Sequence, residues 1–284
     1  MIYQIKSEKL DVSVSSFGAE LLSVKKEGRE TLWQNQTGEW EGHAPILFPF
    51  CGHFGVTVDG VRYPMEMHGV AWKTEFSLIE KTENKIRFML CDSKVTLKAY
   101  PFPFRFYAEY EAVGESLFVR FEVENIGDKP LPYSLGSHES FLLEEDVDGY
   151  QLHFEKEEDL IHLCHNEGGY LTNEKVRFGK GDHLPLPIDL LQNSNTLVLS
   201  NLQSNKIWLE KTSGEKVIEM TIDGFSNLLL WRPSGRAKML CIEPWLNLPD
   251  YFEEDNTEFT KKEGVLLLPV NERKVYERKI TYIR

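Results

Sequence analysis

Short runs of alternating apolar and polar residues, separated by Gly, Pro, Asn and Ser, recur from one end of this chain to the other. That period of two belongs to half-buried β-strands. Leu10 to Val14 alternates before Gly18 and Leu21 to Val24. Phe76 to Leu78 and Ile86 to Leu90 flank a polar turn, and Phe104 to Glu111 and Leu117 to Val123 flank Gly114-Glu115. The second pair has one apolar face, Leu117, Val119, Phe121 and Val123, backed by Phe118, Arg120, Glu122 and Glu124. Similar runs follow at Thr196 to Leu199, Lys206 to Leu209, Val217 to Ile222, Leu228 to Trp231, Met239 to Ile242, Val265 to Leu268 and Val275 to Ile283. Only Ile188 to Gln192 and the stretch around Tyr251 to Thr260 read as short helical turns. Without strand–helix alternation a parallel α/β sheet is excluded, and the pattern predicts a mostly β chain built as a large antiparallel sandwich or barrel.

The 284 residues show no linker, low-complexity tract or fixed-period repeat, which favours one domain over 1–284. Hydrophobic residues at 41% are enough to fill a core and exclude a disordered chain. With 45 acidic against 32 basic residues the net charge is −13, which disfavours nucleic acid and anionic membrane surfaces as partners. No apolar run approaches the roughly 18 to 20 residues that span a bilayer. The N-terminal segment lacks an export pattern, so a cytoplasmic protein is expected. Cys51, Cys91, Cys164 and Cys241 form no C-x-x-C and are expected to be reduced.

The phosphate-binding loop, the dinucleotide glycine fingerprint, the serine-hydrolase elbow and the H-E-x-x-H zinc motif are all missing from the sequence. His162-Leu163-Cys164-His165 has ligand types but no second half, so it reads as a surface loop rather than a zinc site. Glu144 to Asp148 reads as a solvated acidic loop, and Asp223-Gly224 as a turn.

Three segments each set one titratable residue among apolar, Gly or aromatic neighbours: Met67 to Trp72 around His68, Pro132 to Phe141 around His138, and Leu240 to Trp245 around Glu243. Each residue alone has an ordinary structural explanation. Two histidines and a carboxylate at strand ends are together the minimum for proton transfer near neutral pH. Aromatics beside polar groups also suit a sugar ring, whose faces stack while its hydroxyls hydrogen-bond. Trp72, Phe141, Trp231 and Trp245 are candidates for such walls, and core packing is the competing reading for each.

In their order, Gly18-Ala19-Glu20-Leu21, Leu32-Trp33-Gln34, Ala44 to Gly52, His68-Gly69, Tyr100 to Phe104, Gly136-Ser137-His138 and Cys241 to Trp245 make the chain resemble the galactose mutarotase-like (aldose 1-epimerase) superfamily, in its LacX-like bacterial branch. The resemblance covers nearly the whole chain and implies an antiparallel supersandwich with a sugar cleft on one sheet. It implies interconversion of the α and β anomers of a free aldose, with no cofactor and no metal. Carried over position by position, Glu243 matches the general base, His138 the general acid and His68 a sugar-binding histidine. Two positions depart from the family pattern. His53 stands where an arginine is common, and Asn195 falls near an aspartate that holds sugar hydroxyls. Both changes alter hydroxyl recognition rather than the acid–base pair.

The expected substrate is therefore a hexose, held by His68, His53, Asn195 and Trp231. A hexose 6-phosphate is the alternative. It would require Arg232, Arg236 and Lys238, just before the Glu243 strand, to grip phosphate rather than form an exposed charged loop. A non-catalytic carbohydrate-binding module is a third possibility. A small-molecule sugar is the only partner implied, with the chain a monomer or homodimer.

Overall fold

The computed structural model describes residues 1–52, 55–192, 194–251 and 256–284. Among them fifteen strands form one antiparallel sheet, and the first four strands of the chain form a smaller one. The small sheet is a meander of Ile2–Lys6, Leu10–Ser15, Leu21–Lys26 and Arg29–Glu30. Val12 and Val14 turn inward while Asp11 faces out, as the alternation requires.

The expected hairpins form. Ser77–Lys81 pairs with Lys85–Cys91, and Phe104–Val113 pairs with Ser116–Asn125, Ala108 lying opposite Phe121. From this end the large sheet continues through Arg273–Tyr282, Lys216–Thr221, Lys206–Lys211, Tyr150–His165, Thr196–Leu199, Asn227–Trp231 and Met239–Trp245. It ends at Gly136–Ser137 and Ile46–Leu47. One hydrophobic cluster joins the small sheet (Val12, Leu21) to both halves of the large one (Phe106, Leu209, Ile242).

One element was not foreseen, and one expectation is corrected. Tyr150–His165 and Leu171–Pro185 form a long hairpin that the period-two pattern does not reveal. Glu155 to Asp159 interrupts the alternation, and the register shifts between His153 and Glu158. His162 to His165 therefore lies on a strand, with His162 buried, and is not a surface loop. The two short helical turns expected from sequence are found as a turn at Ile188 to Leu190, where Leu191 N donates to Pro187 O at 3.1 Å, and a 3₁₀ turn at Phe259–Lys261; positions 252–255 of the second stretch lie outside the described residues. Glu144, Glu145 and Asp148 are exposed as expected, and Asp223-Gly224 is a turn in which Gly224 has φ +83°. Among the described residues no helix is long and apolar enough to cross a membrane. All four cysteines are free.

Candidate active site

Strand register brings the site together. Gly136 lies opposite Trp245 and Glu139 opposite Ile242, so continuing the same register sets His138 across from Glu243, 105 positions away in sequence. A Cβ on Gly136 would lie 2.8 Å from both Cys51 Sγ and Trp245 Cδ1, so only glycine permits this approach. On the other side, Leu229 lies opposite Glu243 and Trp231 opposite Cys241. Residues two apart on a strand share a face. Glu243 and Trp245 therefore project the same way as Leu229 and Trp231, and all four line one cavity of about 410 Å³. That volume is in the range of small-molecule sites.

His138 Nε2 is 3.3 Å from Glu243 Oε1, and both side chains are buried. The imidazole stacks on Trp40 (5.0 Å between centroids, 28°) and meets the edge of Trp231 (5.6 Å, 78°). Its Nδ1 is buried and makes no hydrogen bond among the described residues, so no protein group there fixes the tautomer. Burial pushes His138 down to about 4, because a dry site disfavours the imidazolium. Burial likewise holds the Glu243 carboxyl well above its ordinary range, and the nearby Glu139 carboxylate pushes it the same way. Both shifts favour the uncharged pair, with one proton between the two side chains.

His68 comes from a separate loop. It adopts φ +68°, and Gly69 follows at φ +92°, where a Cβ would lie 2.1 Å from the Phe48 carbonyl oxygen. His68 N donates to Gly52 O at 2.9 Å, and Gly52 N donates to His68 Nδ1 at 3.2 Å. With Nδ1 accepting, the ring proton sits on Nε2. The ring is edge-on to His138 (5.7 Å) and to Trp245 (5.6 Å). Glu139, beside His138, is held by Arg278, whose Nη2 donates to Oε1 at 2.6 Å and Nη1 to Oε2 at 3.1 Å.

Of the residues named from sequence, His68, His138, Trp231 and Glu243 line the cavity, as do Trp72 and Trp245 among the aromatic candidates. His53 lies outside the described residues. Asn195 is exposed and absent from the described lining, which takes Ser194 and Thr196 from the same turn instead. Trp231 Nε1 donates to the carbonyl oxygen of Ser194 at 3.1 Å, tying that turn to the aromatic wall.

Arg232 is neither a surface charge nor a cleft residue. It is fully buried, with Nε donating to Leu191 O at 2.8 Å and Nη1 to Asp146 Oδ1 at 2.6 Å. On a strand the residue after Trp231 faces the opposite side of the sheet, which explains the placement. Arg236, Lys238 and Phe141 line a different cavity, floored by Trp33 and Ile218.

Among the lining residues missed from sequence, Trp40 and His165 bring aromatic rings to the cavity. Trp40 lies in a loop between Gly38 and Gly42, and a tryptophan in a glycine-flanked loop is the signal that would have found it. His165 ends the Tyr150–His165 strand, its Nε2 accepting from Thr196 N at 3.1 Å.

A family description, aldose 1-epimerase, matches residues 1–264. The chain is 30% identical over 292 aligned positions to the chromosomal protein LacX of Lactococcus lactis subsp. lactis, covering 96% of this chain and 97% of that protein. It is similar in structure to a galactose mutarotase related enzyme from Lactobacillus acidophilus (TM-score 0.91, 25% identity, 100% and 98% of the two chains). It is also similar to a galactose mutarotase-like protein from Lactobacillus casei (TM-score 0.91, 26% identity, 99% of each chain). The likeness runs the length of these chains, and the matched span carries every strand and loop that brings His68 and His138 up to Glu243, so this chain belongs to the aldose 1-epimerase family.

Proposed function

We propose that the chain, working as a single domain, is an aldose 1-epimerase that interconverts the anomers of a neutral hexose. The observation that carries this reading is the His138–Glu243 contact of 3.3 Å at the floor of an aromatic-walled cavity. The uncharged pair and the ion pair differ only in which partner holds the single proton. Burial of both side chains favours the first form, and sugar hydroxyls brought next to Glu243 and His138 stabilise the second. In the ion-pair form the Glu243 carboxylate takes the proton of the anomeric hydroxyl while the His138 imidazolium protonates the ring oxygen. The bond from C1 to the ring oxygen breaks and leaves an aldehyde. Rotation about C1–C2 and closure on the other face, with the protons returning, give the opposite anomer. His68 lines the cavity beside the pair and helps position the sugar, and Trp231, Trp72 and Trp245 offer faces and edges to the ring.

Among the described residues the cavity is lined by no lysine or arginine. A phosphate would enter with no charged donor to meet it, which favours a neutral sugar over a hexose 6-phosphate. Saturation-transfer NMR on glucose, galactose and their 6-phosphates tests both points. Accelerated exchange is expected for a neutral hexose and not for its 6-phosphate. Preference for the phosphorylated sugar would overturn the substrate class, and binding without accelerated exchange would make the chain a carbohydrate-binding module.

The pair also sets the pH dependence. Catalysis needs one proton on the pair. A second proton adds at His138, whose pKa burial holds near 4, and then no base remains. At high pH the single proton leaves, late because Glu243 is raised, and then no acid remains. The expected kcat/KM profile is a broad bell whose acid limb falls near pH 4. An acid limb at the 6.5 of an ordinary histidine would contradict the burial-driven ordering.

A further inference from the structure

Outside the cleft, the hairpin of Tyr150–His165 and Leu171–Pro185 carries a second group of titratable side chains. His153 and His183 are direct cross-strand partners, and their rings stack at 4.2 Å with planes 16° apart. Beneath them lies Glu210 of the Lys206–Lys211 strand, only 3% exposed. His153 Nδ1 hydrogen-bonds Glu210 Oε2 at 3.3 Å, His183 Nε2 lies 3.3 Å from Oε1, and Gln151 Nε2 donates to Oε1 at 2.8 Å. Asp182 has no partner in the register because the strand is irregular between His153 and Glu158. That irregularity brings Asp182 Oδ1 to 2.7 Å from His183 Nδ1.

His183 thus presents each ring nitrogen to a carboxylate. A neutral imidazole carries one N–H, so it serves only one of these contacts; the other takes either a second ring proton or a metal ion between the ring nitrogen and the carboxylate. A buried carboxylate that takes the N–H of one histidine and faces a ring nitrogen of the next is the arrangement that orients histidines for a metal ion. It leaves His153 Nε2, His183 Nδ1 and Asp182 on the solvent side. Ligand atoms of these three residues lie within 4.8 Å of one another.

We propose that His153, His183 and Asp182 form a binding site for a divalent transition metal of the zinc type, with Glu210 as the positioning carboxylate. Two imidazoles and one carboxylate suit Zn²⁺, with solvent completing the shell, once the stacked rings turn on their side chains so that the ion lies in both ring planes. Among the described residues the other edge of the outer strand Leu171–Pro185 is bridged only from Leu171 to Tyr251, and the ion would pin that strand to the one that carries His165 into the cleft.

Equilibrium dialysis of the full chain against Zn²⁺ is the test, with circular dichroism confirming each variant's fold. One ion per chain is expected. His183→Gln and His153→Gln should each weaken it more than tenfold, and Glu210→Gln, which changes no ligand, by about 10- to 100-fold. Trp208 lies 4.9 Å from His153, so Cu²⁺ at the same site should quench a fluorescence component that Trp208→Phe removes. Failure of the wild type to bind Zn²⁺, or binding indifferent to His183→Gln, would overturn the proposal. So would a single ion lost in Cys241→Ser, because Cys241 with His138 and Glu243 is the other set of ligand types within reach of one ion.

Discussion

Glu243→Gln is expected to slow anomer exchange by about 10²- to 10⁴-fold, the usual contribution of a positioned general base. Glutamine keeps the size and planarity of the side chain, so the cavity and its aromatic walls stay in place. What it loses is the ability to accept a proton from the anomeric hydroxyl. Because Glu243 is buried and its charged form is disfavoured there, the amide should leave the melting temperature unchanged or higher. Exchange kinetics beside thermal unfolding separate the two effects. A variant that is inactive because it is unfolded would assign Glu243 a structural role. His138→Gln should cause a comparable loss, and the double variant should be little worse than either single one, since acid and base act as a unit. Independent, multiplicative losses would mean that the two residues do not share one proton.

Arg278→Met is expected to be the most destabilising single change in the interior. Arg278 is 1% exposed, bidentate to Glu139, and set between the rings of Phe121 and Phe225 at 5.7 and 5.8 Å. Its removal leaves a buried carboxylate with, among the described residues, only the Ser137 hydroxyl, at 2.8 Å, as a hydrogen-bond donor. Breaking such a pair from one side costs about 3–5 kcal/mol. For a chain of this size that lowers the melting temperature by on the order of 10 °C. In the double variant Glu139→Gln/Arg278→Met the uncompensated charge is gone, and most of the loss should be recovered. If the double variant melts no higher than the single one, the damage is a packing defect instead. Glu139 adjoins His138, so the ion pair also anchors the segment that carries the proposed acid.

The strands that follow a strict period of two were legible in the sequence, and so were His138 and Glu243, which the structure brings to 3.3 Å and which are proposed here as acid and base. Leu10–Ser15 and Thr196–Leu199 fall where the alternation puts them. Tyr150–His165 was not legible, because its register irregularity places charged residues where the pattern expects apolar ones. The misplacement of Arg232 had another cause. A charged residue beside a turn normally faces solvent, and only the packed structure shows Arg232 buried, its guanidinium reaching the Leu191 carbonyl and the half-exposed Asp146 carboxylate.

From the sequence alone came the β class, the family resemblance and the identities of His68, His138 and Glu243. Local periodicity and residue chemistry carry these, and both are written in neighbouring positions. Which residues meet was decided only by the tertiary structure. The antiparallel register sets His138 across from Glu243, and the same sheet turns Trp231 into the cleft and Arg232 away from it. Trp40 and His165 reach the site from distant segments. Strand pairing is non-local, so a residue's partner depends on how the whole sheet is ordered, and no window of sequence contains that information.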